Sequence, residues 1–576
     1  MSTEQQPADS YDVAILGGGL AGLTLALQLK KERPETSIFV AEKRKGPAPE
    51  AAFKVGESTV ELSCNYFGHV IGMQDHLESD QIHKCGLRFF FPAGDNTDLS
   101  QRVELGPPLY PPVPSYQLDR GRFENELADR ALAAGVDRFG EARVQAVEFG
   151  SDMHEVEFTL AGEPRTVRAR WVVDAAGRAF LLKKKLDLLE DNGHYVNSSW
   201  FRLAGGLNIE DWVDEDDDEW YSRMTERGLR RNSTNHLCGQ GYWVWLIPLS
   251  SGPISIGIVA DESFHPWERI NTLEGALDWI REYEPQLADS LDGRSDDIED
   301  FLKVERFSYG CKQCFSGSRR WALVGEAGAF LDPFYSPGSD YIAMGNTLTT
   351  DLIVRELDGE DVTERAKAHD DFYLSAYRTH LTFYKGQYGY WGNPQIMANK
   401  IGANNILYWG ANALLFFHRK LTDLDFMAGV RPDVDRIWAL NRQIESMFRQ
   451  WQELDAREWR RAYVSPVSFP AMLERHIELV AGFDDEALKA KLRSNADLME
   501  AYNVIAFHKA AETLGDAVPD ADTKINPYAV GLDPDRWEAD GLTNGEGLSL
   551  NEARETPAAG MESLWMEVIA QPAPAT

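Results

Sequence analysis

Tyr11-Asp-Val-Ala-Ile-Leu-Gly17-Gly-Gly19-Leu20-Ala21-Gly22, an amphipathic run to Lys31, and then Ser37-Ile-Phe-Val-Ala-Glu42 together decide how this chain folds. Val13–Leu16 is a short apolar run of the kind found in a buried parallel strand. Gly17 permits a tight turn, Gly19 lets a pyrophosphate approach the backbone, and Gly22 lets a helix pack close to the strand. A helix from about Leu20 to Lys31 then turns its free N–H groups, at Leu20 and Ala21, and the positive end of its dipole toward the phosphates. Glu42 closes the second strand where a carboxylate takes ribose hydroxyls. A glycine turn without a ligand is the plainer alternative, but strand, helix, strand and terminal acid in this order favour dinucleotide binding.

The 576 residues hold a large core and two or three domains, with 43% hydrophobic and 26% charged residues as in ordinary globular chains. A net charge of -34 argues against nucleic acid and against attraction to anionic lipid. Part of that charge is the solvated acidic loop Asp211–Glu219. Five cysteines over this length suggest no disulfide scaffold and a reducing, cytoplasmic setting. Cys311 and Cys314 form a C-x-x-C without thioredoxin-like context or a second pair for zinc, so no metal is expected. Met1–Ser10 lacks the apolar core of a signal peptide, and no run of about twenty apolar residues predicts a transmembrane segment. Ile401–Phe417 comes closest but is broken by Asn404, Asn405 and Asn412. It reads as a core helix or a lid over an apolar substrate, with membrane-surface contact the lesser alternative.

The expected class is α/β: a Rossmann-like dinucleotide-binding domain with an inserted antiparallel β-sheet domain and a mainly helical C-terminal region. The expected limits are 1–185 and 301–357 for the binding domain, 186–300 for the sheet, 358–515 for the helices and 516–576 for an acidic, partly ordered tail. Gly56-Glu57-Ser58-Thr59 opens a helix that Ser58 or Thr59 would cap. Lys84-Cys-Gly86-Leu-Arg-Phe89 is strand-like, Asp119-Arg120 leads into a helix, and Val172-Val-Asp174-Ala-Ala-Gly177 and Val324-Gly325-Glu326 are strand-to-glycine turns.

The glycine fingerprint with Glu42, the Asp174–Gly177 turn and the Gly325-Glu326 turn occur in the order seen in flavoprotein monooxygenases of the para-hydroxybenzoate hydroxylase type, which the chain resembles. Trp243-Val-Trp245-Leu-Ile247-Pro248 is similar to the W-x-W-x-I-P motif of the flavin-dependent halogenases within that superfamily. Gly56–Thr59 resembles their G-E-S/A-T segment, and Phe330-Leu-Asp332-Pro-Phe-Tyr-Ser336-Pro337-Gly338 their F-x-(D/E)-P-x-x-S-x-G segment. The likeness spans roughly residues 10–357.

The resemblance implies FAD as cofactor, used as FADH2. Gly17, Gly19, Leu20, Ala21, Gly22, Glu42, Ser58, Arg120, Asp174, Gly325, Glu326 and Gly338 would hold it. It implies a catalytic lysine at Lys84 rather than Lys54, which presents a hypohalous acid to an electron-rich aromatic carbon. It implies a carboxylate at Asp332 for the ring proton, with a helix cap as the alternative role of Asp332. Chloride or bromide would sit on the Gly338 and Ser339 amides, although Pro337 removes one N–H donor there. Trp243, Trp245 and Pro248 would wall flavin from substrate. A separate flavin reductase is the implied partner. The substrate is phenolic or aryl-polyene-like, free or held on an acyl carrier protein. A flavin monooxygenase without halide use and a non-catalytic flavoprotein are the competing readings.

Overall fold

The computed structural model describes residues 7–51, 54–455, 459–465 and 469–561. Its first sheet has a parallel core in the order Trp321–Leu323, Glu163–Asp174, Ser10–Leu16, Ile38–Ala41, Asp137–Phe139. Val13–Leu16 lies buried at the centre, and the following helix Leu20–Glu32 packs against the helices Arg120–Ala133 and Gly338–Leu357. Continuous apolar runs are what such a covered strand requires. The chain is thus an α/β protein with a Rossmann-like binding domain, an inserted, largely antiparallel sheet and a helical C-terminal region.

The second sheet runs Leu302–Val304, Val196–Leu203, Ile254–Asp261, Tyr242–Pro248, Thr234–Gly239, Leu87–Phe91, Val103–Leu105, Tyr463–Val464. It is wider than residues 186–300. Leu87–Phe91 joins it parallel to Thr234–Gly239, and Tyr463–Val464 closes the far edge from the C-terminal region. Tyr242–Pro248 separates two cores by its period of two. Trp243, Trp245 and Ile247 face one, whereas Tyr242, Val244 and Leu246 face the other.

A buried charge cluster pins this sheet. Glu104 receives Arg88 at 2.5 Å, Arg230 at 2.8 Å and Arg223 at 3.3 Å. Burial opposes ionisation, but the Arg88 and Arg230 charges outweigh it and hold the Glu104 carboxyl at about 2, below the usual 4.5. Removing one partner of such a cluster leaves uncompensated buried charge, so Glu104→Ala is expected to cost about 3–5 kcal/mol in urea unfolding at pH 7. The wild-type contribution is full above about pH 4.5 and is lost as pH falls toward 2, because the folded state resists protonation that the unfolded chain accepts.

The helix Pro394–Leu407 runs into a π-helical turn, Tyr408–Asn412, and then Ala413–Phe417. This segment is interior. Asn404 donates to Glu445 at 2.7 Å and Asn412 lies 2.9 Å from His380 Nε2, so the asparagines that break the apolar run are buried polar partners. No helix among the described residues is long and apolar enough to cross a membrane. Residues 516–561, expected as part of a loose tail, pack inward: Ile525, Val530 and Leu542 are buried, and Gln443 and Gln450 hold the backbone at Val530 and Leu532. Residues 562–576 lie outside the described residues.

Candidate active site

Where the parallel strands end, a cavity of about 850 Å³ opens, lined by Gly17, Gly19, Leu20, Ala21, Glu42 and the Ala175–Arg178 turn. A Cβ on Gly17, whose φ is +125°, would lie 2.4 Å from the Ala175 carbonyl oxygen, and one on Gly22 would lie 2.0 Å from the Gly17 carbonyl oxygen. Glycine is therefore required by the turn and by the helix–strand approach. Glu42 accepts the Gly18 N–H at 3.1 Å and the Arg44 N–H at 2.8 Å, which leaves lone pairs for hydroxyl donors. The buried Nε groups of Arg44 and Arg120, both on the cavity wall, have no partner among the described residues. Unpartnered guanidinium N–H groups beside a helix N-terminus fit a pyrophosphate. Lys54 also stands here, 2.7 Å from Glu124, and not in the aromatic chamber described below.

Asp174 has a different place from the one expected. Its side chain is wholly buried beneath the turn, and its oxygens accept the Ala176 N–H at 3.0 Å and the Leu182 N–H at 2.8 Å. Burial raises its carboxyl to about 6. It shapes the turn whose backbone lines the cavity, and does not itself line it.

The cavity continues into a second, which shares Leu20, Val55, Arg120, Trp245 and Pro333 with the first. Glu326 lines both, and the second adds Ser58, Trp243, Gly325, Gly338 and Ser339. Glu326 pairs with Arg178 at 3.2 Å, and its carbonyl accepts the Tyr309 hydroxyl at 2.8 Å. Trp243 donates to the Tyr388 hydroxyl at 3.1 Å and Trp245 to Ser255 at 3.1 Å, fixing both indoles as wall. Pro248 ends the strand opposite Ile254 and is not on this wall; Ile247 is. Gly338 and Ser339 open the helix Gly338–Leu357, directly after Pro337 at its N-cap.

Asp332 borders this second cavity but not the chamber of Lys84. Its Oδ2 accepts the Tyr388 hydroxyl at 2.6 Å and lies 3.0 Å from His194 Nε2, while Oδ1 accepts the Phe334 N–H at 3.1 Å. These bonds fasten the loop to Tyr388 of the C-terminal region and to His194, just before the strand Val196–Leu203. Asp332 caps no helix, because the loop runs on through Ser336 to Pro337 before the helix begins.

Lys84 lies in a third, apolar chamber of about 110 Å³, with Leu87, Phe89, Phe383, Tyr384 and Ile401 among its walls. The lysine is fully buried, and its Nζ donates to Ser58 Oγ at 2.9 Å and to the Thr59 carbonyl at 2.6 Å. Ser58 and Thr59 do not cap the next helix, whose N-cap is Val60; Ser58 Oγ also pairs with Thr234 Oγ1 at 2.8 Å, and Thr59 Oγ1 donates to the Tyr116 carbonyl at 2.7 Å. Burial pulls the Lys84 ammonium down from 10.5 to about 8, with the charge of Glu61 foremost among the groups that resist the fall. The Ser336 hydroxyl in turn donates to Ser58 Oγ at 2.9 Å. Ser58 and Ser336 face the second cavity, and Pro337 and Tyr341 line both that cavity and the Lys84 chamber. A thin partition of serines and proline therefore separates the two. Ser336 holds a left-handed φ of +59°, backbone strain of the sort found at working sites.

The family model described as FAD binding domain matches residues 10–253. The flavin-dependent halogenase chlA of Dictyostelium discoideum is 28% identical over 437 residues, which is 69% of this chain and 69% of its own. The chain is similar to the flavin-dependent halogenases. FAD is its cofactor, and the cavity with its partnerless arginine N–H groups is fitted to it. A chlorinase of peptidyl-carrier-bound 1H-pyrrole-2-carbonyl from Pseudomonas fluorescens is 23% identical over 382 residues, 62% of this chain and 79% of its own. The halogenase PltM, solved with phloroglucinol and FAD, shares the fold, with a TM-score of 0.60 and 18% identity over 85% of this chain and 96% of that one.

Sequence reasoning did not find the polar groups that this chain gathers around Lys84. Asp340 lines the chamber, fully buried, and accepts the Ser63 N–H at 2.9 Å and the Tyr408 hydroxyl at 2.8 Å. Burial raises its carboxyl from 3.8 to about 7. Glu61, Trp409 and His476 complete that end. The one signal available was the set of asparagines inside Ile401–Phe417, since polar residues in an apolar helix mark a site or a buried network.

Proposed function

We propose that this chain is the halogenating component of a two-component system, which uses FADH2, O2 and halide to place chlorine or bromine on an electron-rich, single-ring aromatic. The observation that carries this is Lys84: a buried lysine in an apolar chamber, joined through Ser58 to Ser336 on the flavin-side wall. The sequence holds one dinucleotide fingerprint, so a separate reductase supplies the reduced cofactor. Reduced FAD supplies, with O2 and halide, the hypohalous acid. Lys84 holds that oxidant by hydrogen bonding or as a haloamine, and its lowered pKa makes the free amine accessible near neutrality. Asp340, in place of Asp332, receives the ring proton. The Gly338 and Ser339 amides hold the halide, and Trp243 and Trp245 keep the aromatic from the flavin. At about 110 Å³ the chamber is smaller than a cavity of about 150 Å³ that admits benzene, so a single ring enters as its walls yield and an extended polyene is disfavoured. Phloroglucinol, the ligand of PltM, is such a ring.

The purified protein with FAD, a flavin reductase, NADH and bromide, screened against phenols by mass spectrometry, tests the reading. A bromine isotope pair supports it when catalase leaves the yield unchanged. Oxygenated product without bromine favours the second reading, a monooxygenase, for which the missing Pro337 N–H speaks. Asp340→Asn is expected to lower kcat about 10²–10³-fold, in the range of a lost general base. It should also remove a rise in rate through about pH 7, because the wild-type carboxyl must ionise to accept the proton.

A further inference from the structure

Two buried polar atoms in the Lys84 chamber have no partner among the described residues: Nδ1 of His476 and the indole Nε1 of Trp409. Their rings meet edge to face, with centroids 4.9 Å apart. His476 is 1% exposed, and its other nitrogen, Nε2, lies 3.0 Å from Glu61 Oε1. Burial works against an ionised Glu61, yet the hydrogen bond from His476 leads the effects that hold its carboxyl below the usual range. An ionised Glu61 accepts the Nε2 proton, which leaves Nδ1 as a lone-pair acceptor. Trp409 is a donor only. A buried acceptor beside a buried donor, both unsatisfied, costs stability unless a ligand completes them. A hydroxyl group does so, since it donates one hydrogen bond and accepts others.

We propose that Trp409 and His476 bind the hydroxyl of a phenolic substrate, with His476 Nδ1 as the base that takes its proton and Glu61 as the residue that positions the imidazole. The proposal rests on the halogenation reading for its chemistry and names its substrate class. The phenol O–H bond breaks and its proton goes to Nδ1. The electron-rich ring carbon then forms a bond to the halogen of hypohalous acid, the O–halogen bond breaks, and hydroxide leaves. The ring C–H proton passes through the Asp340 carboxylate to that hydroxide, giving water, and imidazolium returns its proton to the phenolic oxygen. Carbon loses two electrons, halogen gains them, and the sum is phenol plus hypohalous acid giving halophenol plus water. A phenolate is a far stronger carbon nucleophile than a phenol, which is what the arrangement supplies.

The charges around His476 are Glu61 from the facing helix, Glu474, Arg475 and Glu478 on its own helix, and Lys491, which lies 2.6 Å from Glu478. Lys84 and Asp340 share the chamber.

The test is spectroscopic titration of 4-nitrophenol, with 4-nitroanisole as the probe lacking the proton. It is bound to the FAD-loaded, oxidised protein without halide or reductant. The bound phenol should ionise at least about one pH unit below the free probe. His476→Gln should abolish that shift, Glu61→Gln should reduce it, and Trp409→Phe should weaken binding of the probe about 5–10-fold while the protein retains FAD and its melting temperature. An unshifted ionisation in wild type, an unchanged shift in His476→Gln with Trp409→Phe silent, or no binding at all would overturn the proposal. Because no turnover is involved, a failed halogenation assay alongside a shifted probe would overturn the halogenation reading and leave the phenol site standing.

Discussion

Lys84→Met is expected to lower halogen transfer at least about 10³-fold, within the range for removing a group that acts on the reacting atoms, while FAD affinity and NADH consumption through the reductase stay unchanged. Lys84 does not line the dinucleotide cavity, and among the described residues its Nζ donates to Ser58 and Thr59 on the partition. Lys84→Arg should be equally inactive, because a guanidinium stays charged where the ammonium does not. Product should be followed by mass spectrometry and peroxide release by a coupled assay. Halogenation that survives in Lys84→Met would remove the lysine from the mechanism. The same variant has a stability signature. The folded pKa is about 8 against 10.5 unfolded, so between those values the unfolded chain holds more proton and wild-type stability rises with pH. Below about pH 8 the buried lysine costs roughly 3 kcal/mol, the free energy of that displacement. Lys84→Met should lack the rise. Urea unfolding at pH 7 and pH 10 reads the difference.

Two single-methyl substitutions in the glycine fingerprint should part company. Gly17→Ala places a Cβ 2.4 Å from the Ala175 carbonyl oxygen and 2.9 Å from the Ala176 nitrogen, on a backbone with φ of +125°. Backbone must move, and the backbone that moves is the cavity wall. The strain alone is about 1–3 kcal/mol, and with the clash the expected loss exceeds about 3 kcal/mol, with FAD retained poorly or not at all. Gly19→Ala meets only the far end of the Lys54 side chain, at 3.2 Å, which yields easily. Its melting temperature should therefore stay near wild type while the FAD Kd rises about 10–100-fold, a change of roughly 1.4–2.7 kcal/mol. Thermal melts and flavin fluorescence titration distinguish the two. Equal behaviour of both variants would contradict the division of labour between the glycine of the turn and the glycine under the pyrophosphate.

What could be read from the sequence was what is local. The fingerprint, the strand ends and the alternating Trp243, Trp245 and Ile247 are properties of a few consecutive residues, and each kept its place in the fold. What could not be read was direction. Asp332 sits beside a recognisable motif, yet its partners are His194 and Tyr388, far off in the chain. The left-handed turn at Ser336 and the helix start at Pro337 present Asp340 to Lys84 instead. Asp174 ends a strand like a cofactor ligand, but its second oxygen is claimed by the Leu182 amide eight positions on. The polar end of the chamber comes from Glu61, Trp409 and His476, which no spacing rule connects.

The two chambers draw on different parts of the chain. The dinucleotide cavity is lined by residues between Leu16 and Ile342, whereas the aromatic chamber is closed by groups running from His380 to His476. An evolving lineage could therefore exchange its C-terminal helices for another set and acquire a new aromatic, provided the new set keeps a hydroxyl in the place of Tyr388, on which Trp243 and Asp332 rest. Recombination near the end of the helix Gly338–Leu357 is the natural crossover point, and chimaeras joined there should keep their flavin and change their guest.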